Sequence, residues 1–196
     1  MPHAQMNSRS GALLMIATTL LALCVTFLLA LGNVPAQAQT PAAASEALAL
    51  VGKAAPEFDL AQVAGNSLKS GDLKGKVVVV DLFAAWCPPC VDEVPGFNAL
   101  SEKYKDQKDV RIIAIAIDSG TLGDVKAKAK ELQIRYPLLF GTENTMSDFG
   151  INAFPATLVL TKGWRVHHAY LNLVPHKREL IEQEIDRLLS EPVPGP

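Results

Sequence analysis

The stretch Val77–Pro95, which reads VVVVDLFAAWCPPCVDEVP, decides the fold. It opens with four consecutive valines, a pattern typical of a strand that is buried on both faces. Two cysteines, Cys87 and Cys90, follow this strand directly, and Pro88 stands where a helix can begin. The stretch therefore predicts a buried strand over residues 76–83, then a cysteine pair, then a helix over residues 88–105.

The sequence on both sides continues this alternation of strands and helices. Further strands are predicted at 58–60, 67–69, 111–117, 138–140, 156–160 and 164–173, and further helices at 122–133, 145–149 and 175–189. A hairpin turn is predicted at Lys162 and Gly163. Parallel strands joined by helices, followed by a hairpin and a closing helix, predict an α/β fold with a central mixed sheet and helices on both faces.

The N-terminal region carries an uncharged, apolar run over residues 11–32, with Arg9 before it and Ala36-Gln37-Ala38 after it. This order is typical of a secretory signal that is cleaved after Ala38. The run is also long enough to span a bilayer, so a retained membrane anchor is the alternative. Both interpretations place the remaining residues in the periplasm or on the extracytoplasmic face of the cell membrane.

Four segments follow from these patterns. Residues 1–38 are predicted to be a signal peptide or membrane anchor, 39–50 a linker that turns helical near its end, 51–190 the folded domain, and 191–196 a flexible tail rich in proline. Cys24 is interpreted as a small apolar residue of the hydrophobic run. It is not interpreted as a lipid attachment site, because Leu23 stands where a lipoprotein signal needs a small residue.

The net charge and the number of cysteines narrow the range of possible functions. The formal net charge is −2, so the sequence shows no basic footprint and predicts no nucleic-acid partner. Removal of residues 1–38 leaves Cys87 and Cys90 as the remaining cysteines. In an oxidising compartment, a single close pair indicates a working dithiol, because a structural disulfide usually closes a longer loop.

The position of the pair at the start of a helix gives its two members different chemistry. Cys87 is expected to face solvent and the helix N-terminus, whose partial positive charge favours a thiolate. Cys90 lies one turn further in, where it can attack a disulfide already formed by its neighbour. A zinc site would need two more ligands, normally a second close pair of cysteines, and the predicted domain has none.

The segment Val77–Pro95 resembles the active-site segment of the thioredoxin superfamily, and more narrowly that of the exported TlpA/ResA-like branch, which includes cytochrome c maturation reductases. The similarity extends over about residues 51–189. It implies a thioredoxin-like fold and a protein-disulfide oxidoreductase that needs no cofactor beyond the Cys87/Cys90 redox disulfide.

Asp81 acquires a role from this resemblance, because thioredoxins place a buried acid at the corresponding position. Alternation along the strand would point its side chain under the active site, near Cys90. A desolvated carboxyl has a raised pKa and could accept the Cys90 proton. TlpA-like relatives often carry Asn here, and a solvated Asp at the strand end is the alternative interpretation.

Glu93 is the second candidate acid. It stands one helical turn after Cys90 on the same helix face. The resemblance implies a role in thiol acid–base chemistry at this place, and a charge on a solvated helix face is the alternative. Pro95 corresponds to the proline that kinks this helix in thioredoxins.

The surface that meets the substrate is predicted to include Trp86, Pro88, Phe154 and Pro155. The resemblance implies a cis bond before Pro155, a conformation that proline makes accessible at low cost. The backbone of Phe154 could then pair with an extended substrate. Trp86 either covers the edge of the site or packs in the core, and its position in the sequence leaves both open.

The predicted function is a reductant of disulfides in exported proteins, with apocytochrome c among the candidate substrates. The resemblance implies that a transmembrane electron donor of the DsbD/CcdA type recharges it. The alternative is a copper-handling protein that binds Cu(I) through Cys87 and Cys90. A peroxidase of the peroxiredoxin kind would need its cysteine in a Pro-x-x-x-Thr/Ser-x-x-Cys context with an Arg partner, and neither is present.

Overall fold

The computed structural model describes residues 41–191. The predicted signal or anchor, Cys24 and residues 192–196 of the predicted tail lie outside the described residues. Between residues 41 and 191, no helix combines the length and the apolar character that crossing a membrane requires.

The centre of the domain is a five-stranded mixed sheet in the order β5-β4-β3-β6-β7. Its strands are β3 (Val77–Phe83), β4 (Val110–Ala116), β5 (Leu138–Phe140), β6 (Ala156–Leu160) and β7 (Val166–Leu171). The pairs β3–β4 and β4–β5 are parallel, whereas β3–β6 and β6–β7 are antiparallel. A separate antiparallel pair is formed by β1 (Asp59–Ala61) and β2 (Ser67–Lys69).

Five α-helices accompany the strands in the described part of the chain. They are α1 (Pro41–Leu50), α2 (Pro88–Lys103), α3 (Leu122–Glu131), α4 (Thr145–Asp148) and α5 (Lys177–Ser190), and a 3-10 turn spans Ser70–Leu73. The last helix begins two residues later than the sequence predicts, because His176 has a left-handed backbone with φ of 55°. The predicted α/β fold with helices on both faces of a mixed sheet is confirmed.

Both faces of the sheet are covered by apolar clusters, which explains the unbroken valine run. Val77, Val79 and Phe83 point into the cluster formed with α2, α3 and α5. Val78 and Val80 point into the cluster on the opposite face, which includes residues from α1 and the α4 region. Because side chains alternate along a strand, Asp81 belongs to the face covered by α2 and α5.

Helix α1 is part of this packing. Ala43 and Leu50 are buried in the cluster on its face of the sheet. Residues 41–50, which the sequence presents as an Ala-rich linker turning helical only near its end, therefore form a helix packed on the domain. The physical reason is burial, since apolar side chains at suitable helical spacing gain free energy by leaving water.

Candidate active site

The cysteine pair lies where β3 gives way to α2. Cys87 is the residue that caps α2, and it is disulfide-bonded to Cys90. The N–H of Cys90 donates a hydrogen bond of 3.4 Å to the Sγ atom of Cys87. Pro88 and Pro89 occupy the first two helical positions and have no N–H to offer. The first sulfur at this helix start is thus contacted by a single backbone donor.

Both cysteines are covered in the disulfide form. Cys87 is only 5% exposed, and Cys90 is less exposed still. Both belong to the apolar cluster that also receives Phe154. The prediction that Cys87 faces solvent is therefore wrong for this oxidised state, because apolar neighbours pack over it, although Cys87 remains the outer sulfur of the pair.

Trp86 forms the exposed rim of the site. Its side chain is 60% exposed, so the alternative that it packs in the core is wrong. The indole Nε1 donates a hydrogen bond of 2.6 Å to the carbonyl oxygen of Asp118. The ring meets Phe154 edge-on, with centroids 5.7 Å apart. This arrangement holds a large aromatic surface in place beside the disulfide.

The loop after β4 fixes the segment that carries Trp86. The Ser119 hydroxyl accepts a hydrogen bond of 2.8 Å from the N–H of Ala85 and donates one of 2.8 Å to the carbonyl oxygen of Ile117. The two loops meet because β3 and β4 are parallel neighbours whose carboxyl ends lie at the same edge of the sheet. Ser119 was not among the residues predicted from the sequence, and the available signal was a polar residue two positions after the predicted strand 111–117.

The Phe154–Pro155 peptide bond is cis, as the resemblance implies. Pro155 is buried, and its carbonyl oxygen accepts a hydrogen bond of 2.8 Å from the N–H of Asn172. Among residues 41–191, no hydrogen bond to the N–H or C=O of Phe154 is formed. Phe154 packs against the cluster that contains both cysteines, and its two backbone groups are free to pair with an extended peptide.

Asp81 is a buried acid in the middle of β3, not a solvated residue at the strand end. Burial is the main cause that raises its pKa to about 8, and the charge of Glu93 acts in the same direction. The charge of Lys177 and the hydroxyl of Thr157 oppose this rise in pKa. A carboxyl with this pKa exchanges its proton close to neutral pH, as acid–base catalysis requires.

Glu93 is not on a solvated helix face. Its Oε1 lies 2.6 Å from the Nζ of Lys177, and the two side chains are 16% and 6% exposed. Burial raises the pKa of Glu93, while the charge of Lys177 lowers it. Lys177 was not among the residues predicted from the sequence, because nothing in its local sequence distinguishes it from the solvated Lys and Arg residues of other helices.

Several polar atoms around these acids have no hydrogen bond of regular geometry within the described residues: Glu93 Oε2, Tyr136 OH, Thr157 Oγ1 and Lys177 Nζ. The pKa of Tyr136 is raised by burial first and then by the charges of Asp81 and Glu93, so the phenol belongs to the same group. We call Asp81, Glu93, Tyr136, Thr157 and Lys177 the buried polar cluster. Lys177 Nζ keeps its ion pair with Glu93, and the Thr157 hydroxyl acts on the Asp81 carboxyl. Buried polar atoms without a regular hydrogen bond are uncommon in native proteins, and a catalytic role is one of the explanations for them.

A cleft of about 400 Å³ lies beside the cluster, between α2 and α5. Its lining includes Pro89, Glu93, Phe97, Leu173, His176 and Lys177. The rim residues Trp86 and Phe154 are not part of this lining. The site therefore has two approaches, one past the aromatic rim and one between the helices.

Over residues 41–191, no group of three or more His, Cys, Asp or Glu side chains is placed to hold a metal ion. The chemistry available at the site is thiol–disulfide exchange by the cysteine pair, with proton transfer to carboxyls beneath it.

A redox-active cysteine pair at a helix N-terminus, a buried acid below it and a cis-proline beside it define a thioredoxin-fold thiol–disulfide oxidoreductase. Residues 51–169 match the model of the AhpC/TSA family, and the chain belongs to that family.

Individual relatives agree with this class. The chain is 26% identical over 137 residues to the thioredoxin-like protein YneN of Bacillus subtilis, covering 69% of this chain and 78% of that protein. It is 32% identical over 118 residues to the thiol-disulfide oxidoreductase ResA of Bacillus cereus, covering 59% of this chain and 66% of that protein. A Chlorobium tepidum structure described as a thiol:disulfide interchange protein of DsbE type superposes with a TM-score of 0.66 at 26% identity, covering 71% of this chain and 98% of that one. These similarities support the TlpA/ResA-like branch.

Proposed function

We propose that this protein reduces disulfides in exported proteins, cycling between a Cys87/Cys90 dithiol and the disulfide. The observation that carries the proposal is the closed Cys87–Cys90 pair at the start of α2, beside the cis-Pro155 segment. A reversible disulfide between residues three positions apart is suited to exchange rather than to bracing a fold.

The reaction has two steps that balance in atoms and electrons. The Cys87 thiolate attacks a substrate disulfide, forming a mixed disulfide and releasing one substrate thiolate. Cys90 then loses its proton and attacks the Cys87 sulfur, which closes the enzyme disulfide and releases the second substrate thiolate. The substrate gains two electrons, and the enzyme dithiol loses them.

Asp81 and Glu93 are the proposed proton acceptors for Cys90. Both carboxyls have a raised pKa because they are buried, so a proton accepted from a thiol is held without a large cost. Asp81 lies on the sheet face that carries the cysteines, and Glu93 lies on the same helix as Cys90, one turn further along.

The proposed substrate surface consists of the exposed Trp86 and Pro88 together with Phe154 and Pro155. The unpaired backbone groups of Phe154 offer one donor and one acceptor to an extended segment. The aromatic pair offers an apolar contact next to the substrate cysteine. An extended, disulfide-bearing polypeptide fits this surface, and apocytochrome c is one candidate of that kind.

The surroundings of Cys87 favour reduction over oxidation. A strong oxidant of this superfamily stabilises its thiolate, whereas here the single N–H of Cys90 reaches the sulfur, and the buried acid Asp81 lies on the sheet face that carries the cysteines. Losing about two to three pKa units of thiolate stabilisation lowers the potential by roughly 60–90 mV from about −120 mV, the value for a strong oxidant.

A redox titration against glutathione tests the proposed direction. We expect a potential of roughly −180 to −210 mV or lower. A value above about −150 mV would make the protein an oxidase and overturn the proposal.

A reductant in an oxidising compartment must be recharged, and a transmembrane donor of the DsbD/CcdA type is the proposed source of electrons. This proposal requires export through the N-terminal segment. If the signal is cleaved after Ala38, the intact mass of the protein recovered from cells corresponds to a chain that begins near Gln39. A full-length mass in the membrane fraction would instead support a retained anchor.

A further inference from the structure

Lys177 occupies a place that local helix rules disfavour. It is the first residue of α5, at the positive end of the helix dipole, where a carboxylate would be stabilised and a cation is not. Its side chain is 6% exposed. A buried ammonium is costly unless it is paired, and the Oε1 of Glu93 is its ion-pair partner at 2.6 Å. Native proteins break such local rules mainly at functional sites, so a buried cation at this helix start points to a function.

The charge of Lys177 acts on both acids beneath the cysteines. It lowers the pKa of Asp81 and that of Glu93, against the burial that raises them. Each element packed against the two acids contributes one polar group that faces them: Lys177 from α5, Thr157 from β6 and Tyr136 from the segment before β5. Lys177 is the cation among them.

The two acids differ in protonation and in access to solvent. With a pKa of about 8, Asp81 holds its proton in most molecules at neutral pH. Glu93 is held against the ammonium of Lys177 and lines the α2–α5 cleft, whereas Asp81 is buried and is not part of that lining. The polar groups at the rim of the same cleft are Asp92, His176, Arg178 and Glu179.

We propose that Lys177 is a positioning residue of the dithiol reaction. Its ammonium holds Glu93 as a carboxylate in the α2–α5 cleft. An unprotonated acceptor therefore lies beside Asp81 when Cys90 loses its proton. This inference rests on the proposed function. Cys90 gives its proton to the acid pair, its sulfur attacks the mixed disulfide, and Glu93 returns the proton to solvent through the cleft. Loss of the ammonium would raise the pKa of both buried acids and shift the pair towards its protonated form, which leaves less base to accept the Cys90 proton.

The test uses the full chain carrying Cys24→Ser, so that Cys87 and Cys90 are its two thiols, reduced and mixed with 5,5′-dithiobis(2-nitrobenzoate) in a stopped-flow instrument. A first release of thionitrobenzoate reports attack by Cys87, and a second release reports resolution by Cys90. For Lys177→Met, we expect the pH midpoint of the second phase to rise by about one unit or more and its rate at pH 7 to fall about tenfold. The first phase should change little. Lys177→Arg, which keeps the charge, should stay within about threefold of the unmodified protein.

Arg178→Met is the matched control, because Arg178 borders the same cleft but pairs with Glu179 and Glu182. Lys177→Gln, which keeps a hydrogen-bond donor without the charge, replaces the Met variant if that one does not fold, and the same pH shift is expected. An unshifted midpoint in the neutral variants, or an equal loss in Lys177→Arg, would overturn the role of Lys177. Absence of both phases in the unmodified protein would instead overturn the proposed function.

Discussion

Asp81 lies directly opposite Thr157 in the antiparallel β3–β6 pair. Strand β6 begins immediately after cis-Pro155, so the buried acid and the proposed substrate segment are built on adjacent strands. A shift of this pairing by one residue would turn Asp81 away from α2. The register of two central strands thus sets the distance between the proton acceptor and the bound substrate.

Replacement of Asp81 by Asn should slow the chemistry more than it weakens binding. Because Asn removes one carboxyl of the acid pair that takes up the Cys90 proton, we expect resolution of the mixed disulfide to slow by about 10- to 100-fold. The second thionitrobenzoate release measures this rate. Asp92→Asn removes a carboxyl from the exposed face of the same helix and serves as the control. An unchanged rate in Asp81→Asn would transfer the role to Glu93 or to water.

The raised pKa of Asp81 also links stability to pH in the oxidised protein. The folded pKa of about 8 exceeds the unfolded value of 3.8, so the stabilisation is fully present below about pH 4 and is lost as pH rises towards 8. We expect the free energy of unfolding by urea to fall across this window by an amount on the order of a few kcal/mol.

Asp81→Asn should remove much of this fall in the free energy of unfolding and raise stability at pH 8, because no carboxylate then has to form in the buried site. Glu93, whose pKa is raised in the same direction, leaves a residual slope. Parallel curves for the two proteins between pH 4 and pH 8 would contradict a buried, protonated Asp81.

The two cysteines should behave unequally. Cys87 is the outer sulfur at the helix N-terminus and receives the Cys90 N–H, so it is the expected nucleophile. We expect Cys87→Ala to abolish reduction of insulin, and Cys90→Ser to accumulate mixed disulfides that are visible on non-reducing gels. Mass spectrometry of the complexes trapped in cells would identify the substrates.

A variant that lacks both Cys87 and Cys90 controls for Cys24, which is then the single thiol left in the sequence. Equal trapping by the two single variants would show that the assignment of Cys87 as nucleophile is wrong.

Trp86 should contribute to the binding of protein substrates. Its exposed ring is held by Asp118 and Phe154, so its truncation removes a prepared apolar surface without opening the core. We expect Trp86→Ala to raise the KM for a protein disulfide by about tenfold, or about 1.4 kcal/mol. The first phase with the small aromatic disulfide should be nearly unchanged.

Leu48→Ala removes another exposed apolar side chain, on α1, and is the matched control. Phe is a second replacement for Trp86, because it keeps the ring and loses the Nε1 hydrogen bond to Asp118. A KM for the protein disulfide that stays the same in Trp86→Ala would remove Trp86 from the substrate surface.

Local patterns in the sequence determined which strand and which helix carry the cysteine pair. The unbroken valine run indicated a strand buried on both faces, and the cysteines at its end placed a disulfide at a helix start. The resemblance to thioredoxins implied that Asp81 is buried, and the period of two along β3 predicted the face on which its side chain lies. These inferences succeed because a strand or a helix presents its side chains with a fixed period, whatever the rest of the chain does.

The tertiary structure alone decided which distant groups meet around those residues. Lys177 and Tyr136 come from elements far along the chain, and no spacing in the sequence relates them to Glu93 or Asp81. Packing also decided between the alternatives left open for Trp86, and it buried Cys87, which was expected in solvent. A residue's own pattern sets the face it presents, but its burial, its charge partners and its pKa depend on what packs against that face.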